Sequence, residues 1–263
     1  MKMCLHIHSR YSHDSDVPVR EIIHEAERLG YDVISITDHN TVKGSLEALQ
    51  YNDSTVSVIP GAEFSTEFGH VLAYFIDDSI EKNTPMIDEK RFDFYKLIEN
   101  IRTMNGVIIL AHPFNSKLKE HMEILNDIDG IERYNARLDS FYFKNKSGTF
   151  IKLLLNRKNF IYLGGPDAHS LEELRHCYTV TKNFSLTPED FKKALIRQSI
   201  VYYKTSVNYA IARAKFHNIK RFKPKYIIKN IIRMMYGILE IVYTKVLRCR
   251  QYEIIYIGKE SKP

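Results

Sequence analysis

Cysteine is scarce in this 263-residue sequence: only Cys4, Cys177 and Cys249, odd in number and far apart. That excludes a disulfide framework and a CxxC zinc knuckle, and points to a reducing compartment, the cytoplasm. No run of about 20 residues is free of charge, which argues against a membrane span. No Gly/Ser-rich linker, internal repeat or low-complexity stretch is present. A secretory leader is not expected either, since His, Arg and Asp all fall within the first fourteen residues. Nor does a Ser-His-Asp or Cys-His arrangement suggest a protein nucleophile. With 44% apolar and 27% charged residues, wholesale disorder is excluded.

What is present is an alternation. Short apolar, β-branched runs at 2–8, 32–37, 55–64, 69–76, 107–112, 130–134, 160–165, 177–182 and 200–203 read as strands. Between several of them lie stretches of helical period. "VPVREIIHEAERLG" places Val19, Ile22, Ile23 and Ala26 on one face and stops at Gly30. "MIDEKRFDFYKLIENIRTMNG" (86–106) stops at Gly106, and "TPEDFKKALIRQ" (187–198) opens with Thr187 as its cap. Strand–helix alternation of this length predicts an α/β protein with a mainly parallel sheet or barrel.

Charge is divided unevenly. Residues 201–263 carry 14 Lys/Arg against 3 Asp/Glu, which leaves the first 200 residues acidic although the chain as a whole is at +6. The basic quarter is a helical extension, 204–263, attached to a catalytic unit over 1–203. Its segment "KYIIKNIIRMMYGILEIVYTKVLR" (225–248) puts Lys225, Lys229, Arg233 and Glu240 in one stripe of a helix and apolar residues over most of the rest. The expectation is a helix packed on the barrel or on a second subunit. Peripheral contact with a membrane surface and contact with nucleic acid are the lesser readings.

Histidines and acids collect where strands end. His6 and His8 close the first strand, with the i, i+2 spacing that turns both side chains to one face. Asp38 and His39 close the second, Glu63 the third, His112 follows "VIILA", and Asp167 and His169 follow "IYLGGP"; His70 stands just ahead of "VLAYF". In an α/β barrel the C-terminal strand ends converge on one face. Imidazoles and carboxylates meeting there form a divalent-metal site, and the absence of cysteine from the set favours an open, catalytic one.

"LHIHSRYSHDS", "ISITDHNTVKG", "PGAEFS", "GHVLAYF", "LAHPF" and "GPDAHS" resemble, in order, the motifs of the PHP (polymerase and histidinol phosphatase) superfamily, and most closely its small stand-alone metal-dependent phosphoesterases. The resemblance implies a distorted (β/α)7 barrel holding two or three divalent ions: Mn, Fe or Zn, with Mg also compatible. It implies that His6, His8, Glu63 and Asp167 hold one ion; that Glu63, bridging, holds a second with His70 and His112; and that His39, His169 and an aspartate of the first motif hold a third. Asp14 fits that aspartate best, ahead of His13 and Asp16. Asp38 is read as orienting an imidazole.

The implied chemistry is hydrolysis of a phosphate mono- or diester by a hydroxide bridging two ions. Glu63, Asp167 and His169 are the catalytic residues, the last two as candidate proton donors. Arg137 and Lys117, just past strand ends, are candidates for binding substrate phosphate, ahead of Lys43 and Arg175. A nucleotide, cyclic nucleotide or short oligonucleotide is the expected substrate. A nuclease gripping longer RNA or DNA with the basic tail, a non-catalytic module of the same fold and a hydrolase of C–N bonds are the competing readings.

Overall fold

In the computed structural model, which describes residues 1–51, 53–138, 160–197, 199–203, 207–217, 224–247 and 252–255, the apolar run at the head of the chain is a central strand, β1 (Lys2–Ile7). It lies parallel to β2 (Val33–Ile36), and β2 lies parallel to the short β3 (Ser57–Val58). On its other side β1 pairs antiparallel with β9 (Cys177–Val180), followed by β10 (Ser199–Tyr203) and β11 (Tyr252–Ile255), giving six strands in the order β11-β10-β9-β1-β2-β3. The second sheet runs β4-β5-β6-β7-β8: Gly61–Ser65, His70–Tyr74, Val107–Leu110, Gly130–Asn135 and Ile161–Gly165. Here β5 is antiparallel to both of its neighbours, β4 and β6, and β6, β7 and β8 are parallel.

This is a mixed α/β fold. Among the described residues its strands pair in two sheets rather than in one closed, all-parallel ring. The sheets touch at two seams, each an isolated parallel bridge. At one, Ile7 meets Ala168, with His8 N donating to Ala168 O at 2.8 Å. At the other, His39 meets Glu63, with Asn40 N donating to Glu63 O at 2.8 Å. Both seams lie at strand ends that carry candidate ligands.

The space between the sheets is filled by Met3 and Leu5 of β1, Leu72 and Tyr74 of β5, Val107 and Ile109 of β6, and Ile161 and Leu163 of β8. Tyr74 buries its ring there and satisfies its hydroxyl by donating to Leu5 O at 2.8 Å. Helices cover the outer faces. Val19–Arg28 turns Val19, Ile22, Ile23 and Ala26 inward against Cys4, Ile34 and Ile36, as its period requires. Phe94–Thr103 packs Phe94, Leu97 and Ile101 beside Val71, Ile108 and Leu110.

Three element boundaries differ from expectation. The run 55–64 is two strands, because the chain breaks at Pro60, which has no N–H for a ladder. The segment 86–93 is not helical: Asp88 accepts from Lys90 N and Arg91 N, and the helix begins only where Asp93 caps Lys96 N at 2.9 Å. Strand β11, which extends the first sheet from beyond the basic helix Pro224–Leu247, was not foreseen.

Candidate metal centre

Two seams and one reversed strand bring the histidines together. Strand β5 runs against β4 and β6, so its first residue, His70, lies opposite Ser65 at the end of β4. A residue at a strand start thereby joins residues at strand ends. Two of the corners are strained: His112 and Asp167 hold φ of 28° and 52°, in the left-handed region that non-glycine residues rarely occupy.

Glu63 is the hub. It is 1% exposed, and its two oxygens face different partners. Oε1 lies 3.0 Å from His70 Nδ1 and 3.1 Å from His112 Nε2. Oε2 lies 3.0 Å from His39 Nδ1, 3.4 Å from His8 Nε2 and 3.5 Å from His6 Nε2. Asp167 closes the first group, with Oδ1 at 3.2 Å from His8 Nε2 and 3.6 Å from His6 Nε2. Asp14 Oδ2 stands 2.7 Å from His169 Nε2 and 3.6 Å from His39 Nε2.

Among the described residues, donor atoms within 4.8 Å of one another fall into three groups: His6, His8 and Asp167; His39, Glu63 and His70; and His8, Asp14, His39 and His169. All nine residues proposed as ligands from the sequence are thus brought to one place, His112 through its contact with Glu63. His39 sits between Glu63 and Asp14 rather than beside Asp14 alone. Of the first-motif alternatives, Asp14 reaches the histidines. His13 lies tilted against His39 with ring centroids 5.0 Å apart, and Asp16 lines the neighbouring cleft.

These donors are incompletely used. His6 Nε2, His8 Nε2, His39 Nδ1 and Glu63 Oε2 are buried and make no hydrogen bond. Orphaned polar atoms in a protein interior carry a desolvation cost unless something binds them. Four such atoms converging, all of ligand type, fit a divalent cation.

The rings are held so that the correct nitrogens face inward. His6 Nδ1 donates to buried Glu132 Oε1 at 2.9 Å, which turns Nε2 toward Glu63 and Asp167. His169 Nδ1 donates to Asp167 O at 2.9 Å, and His8 Nδ1 lies 2.9 Å from Ser12 Oγ. Sequence reading missed Glu132. It also accepts from His112 N and Asn135 Nδ2, so one carboxylate from β7 fixes two neighbouring corners. Gly165 makes this approach possible, for a Cβ there would fall 2.5 Å from Glu132 Oε1 and 2.6 Å from His6 Cβ. Asp38, read as orienting an imidazole, instead accepts from Ser9 N and Ser9 Oγ at 2.6 and 2.7 Å, which anchors the loop after β1.

Electrostatics follow the geometry. Burial would raise Glu63 and Asp167, but His6, His112 and His39 around the first, and His6, His8 and His169 around the second, hold both carboxyls well below the usual range. Burial, aided by His169, pushes His8 down to about 3. Burial works against His39 as well, yet Asp14 and Glu63 prevail and lift it to about 10.

A cleft of about 800 Å³ opens beside His169 and Asp14. Arg137 lines it, ion-paired with Glu173, and so does Lys215 from the helix Val207–His217. Burial, together with Arg233 and Arg137, pushes the Lys215 ammonium down to about 8. Lys215 was not foreseen from the sequence. The other phosphate-binding candidates lie elsewhere: Lys117 and Lys43 are exposed outside that cleft, and Arg175 is paired with Glu25 at 3.8 Å.

Comparison with known proteins decides the family: the PHP domain model matches residues 5–178. The chain belongs to the PHP domain family. It is 31% identical to the uncharacterized protein MJ1587 of Methanocaldococcus jannaschii over 149 residues, covering 52% of this chain and 82% of that one. Among solved structures, a Bifidobacterium adolescentis protein assigned as a metal-dependent phosphoesterase superposes with a TM-score of 0.50 at 16% identity, over 64% of this chain and 87% of its own. An amidohydrolase from Chromobacterium violaceum superposes with a TM-score of 0.51 at 17% identity, over 64% and 88%. Family membership and the His/Asp/Glu clusters together support a metal-dependent hydrolase.

Proposed function

We propose that this PHP protein hydrolyses a phosphate mono- or diester, with a nucleotide, cyclic nucleotide or short oligonucleotide as substrate. The observation that carries the reading is the convergence of orphaned imidazole and carboxylate atoms at the two seams, beside a cleft lined by Arg137 and Lys215. In this reading residues 1–203 form the catalytic unit, a distorted seven-strand barrel, and 204–263 its basic extension. His6, His8, Glu63 and Asp167 hold one ion; Glu63, His70 and His112 a second; His39, Asp14 and His169 a third. Mn, Fe and Zn suit these nitrogen and oxygen donors, as does Mg less closely.

Bound divalent ions supply Lewis acidity toward a phosphoryl oxygen and lower the pKa of water. The chain's own groups do the rest. Glu63, its oxygens facing different histidines, spaces the two inner ligand sets. Arg137 and Lys215 attract and orient a phosphate in the cleft. His169, at the cleft wall with its Nδ1–H committed to Asp167 O, can hand a proton to the leaving oxygen through Nε2 only while no third ion holds that nitrogen, and Asp167, kept ionised by its histidines, acts as a ligand. Cys4 and Cys177 are buried and form no disulfide, which suits a cytoplasmic setting.

A hydrolase of C–N bonds is the second reading, favoured by the amidohydrolase among the superposable structures. The test is to measure bound metal in purified protein, then to screen phosphomonoesters, cyclic nucleotides, short oligonucleotides and amides with Mn²⁺. The phosphoesterase reading expects phosphate release that a chelator stops and that Glu63→Ala reduces at least about a thousandfold. Metal-loaded protein that splits amides but no phosphate ester would instead establish the second reading.

A further inference from the structure

The helix Pro224–Leu247 is turned inside out. Its buried side holds Asn230, Gly237 and Glu240, and Glu240 accepts from Asn208 Nδ2 at 3.3 Å. A Cβ on Gly237 would meet the backbone of Tyr209 at 2.7 Å, so the helix lies close against Val207–His217 by way of its small and polar residues. Its outward side is apolar. Ile228, Met235, Leu239 and Val246 are 66, 61, 61 and 71% exposed, and Ile231, Ile232, Ile238 and Val242 stand beside them at 44–52%. From Ile228 to Val246 the stripe is about 27 Å long at the α-helical rise. On a helical wheel it spans about a third of the circumference, wider than the seam of a two-stranded coiled coil.

Soluble monomers rarely leave so continuous an apolar face in water. The charges decide what covers it. Within 224–247 the sequence has four cations, Lys225, Lys229, Arg233 and Lys245, and one acid, Glu240, which is 2% exposed and bonded inward. Lys229 is exposed at the margin of the stripe, and a second copy laid on this face would offer it no outward acid from the helix. An anionic lipid surface supplies the missing sign, and the apolar stripe supplies what nucleic acid would not use. Among the described residues no helix is long and apolar enough to cross a membrane.

We propose that the outward face of Pro224–Leu247 docks the protein, without spanning, on membranes that bear anionic headgroups. The apolar stripe sinks to the boundary of headgroup and acyl chain, and exposed Lys229 at its margin meets lipid phosphate. Tyr236 and Tyr243, 37 and 48% exposed on one edge of the stripe, are residues suited to that boundary.

The test is flotation of the full chain with vesicles of phosphatidylcholine alone and of phosphatidylcholine mixed with phosphatidylglycerol, with sedimentation equilibrium run in parallel without lipid. The expected result is binding to the mixed vesicles that high salt weakens. Leu239→Asp should reduce it about tenfold or more, and Lys229→Glu should reduce it specifically where phosphatidylglycerol is present. Both positions are solvent-facing, and circular dichroism checks that each variant keeps its helices. Absence of binding to either vesicle overturns the proposal, and dimers that Leu239→Asp dissociates would then identify a second copy as the occupant. Binding that neither substitution changes overturns it as well.

Discussion

At the scale of single residues, the centre depends on a carboxylate that is not a candidate ligand. Glu132 takes the Nδ1–H of His6 and the backbone N–H of His112, so it sets the tautomer of one ring and the position of another. Replacing it by Gln keeps the size but removes the charge; we expect Mn²⁺ affinity to fall about 10- to 100-fold, read by calorimetric titration. Unchanged affinity would mean that the ring positions do not need it. His39 gives a pH test. Its folded pKa is raised from an ordinary 6.5 to about 10, so its ion pairs stabilise metal-free protein fully below about 6.5, and that contribution is lost as pH rises through about 10. The unfolding midpoint of chelator-treated protein should therefore decline from neutral pH toward 10, and saturating Mn²⁺, which takes the proton's place, should flatten the decline. The candidate ligands were legible because imidazoles and acids at strand ends break the apolar pattern around them. Glu132 was not: it lies within the fully buried strand "GIERYN", where a lone acid shows its purpose only once His6 is seen beside it. Lys215 was hidden for a different reason, since it comes from a helix beyond the family-like stretch and nothing local marks it.

At the scale of elements, most strands and helices declared themselves through period. Errors came where local hydrogen bonding overrode it. Asp88 and Asp93 show this best, one diverting 86–93 into a turn and the other starting the helix. Asp93→Ala should cost about 1 kcal/mol, measured as a shift of the urea midpoint without a change in slope. No loss at all would mean that packing of Phe94 and Leu97 alone sets the helix start. Strand polarity was also out of reach of periodicity. The alternation suggested mainly parallel strands without saying which would reverse, and β5 runs backwards after a tight turn at Thr66–Gly69, where Thr66 Oγ1 donates to Gly69 O. That reversal is what delivers His70 to the centre.

At the scale of the whole molecule, two sheets that pair separately meet at two bridges, and the candidate ligands cluster about them. Ile7–Ala168 is flanked by His6, His8, Asp167 and His169, and His39–Glu63 is itself made of candidate ligands. Cations bound there would fasten the sheets to each other, so metal should stabilise the fold as well as serve chemistry. The most direct measurement is anomalous X-ray scattering at the manganese edge from crystals of protein purified with Mn²⁺. The account predicts peaks among His6, His8, Glu63 and Asp167 and between Glu63, His70 and His112, both of which vanish in Glu63→Ala. Well-ordered crystals with those side chains in place and no anomalous peak among them would contradict it.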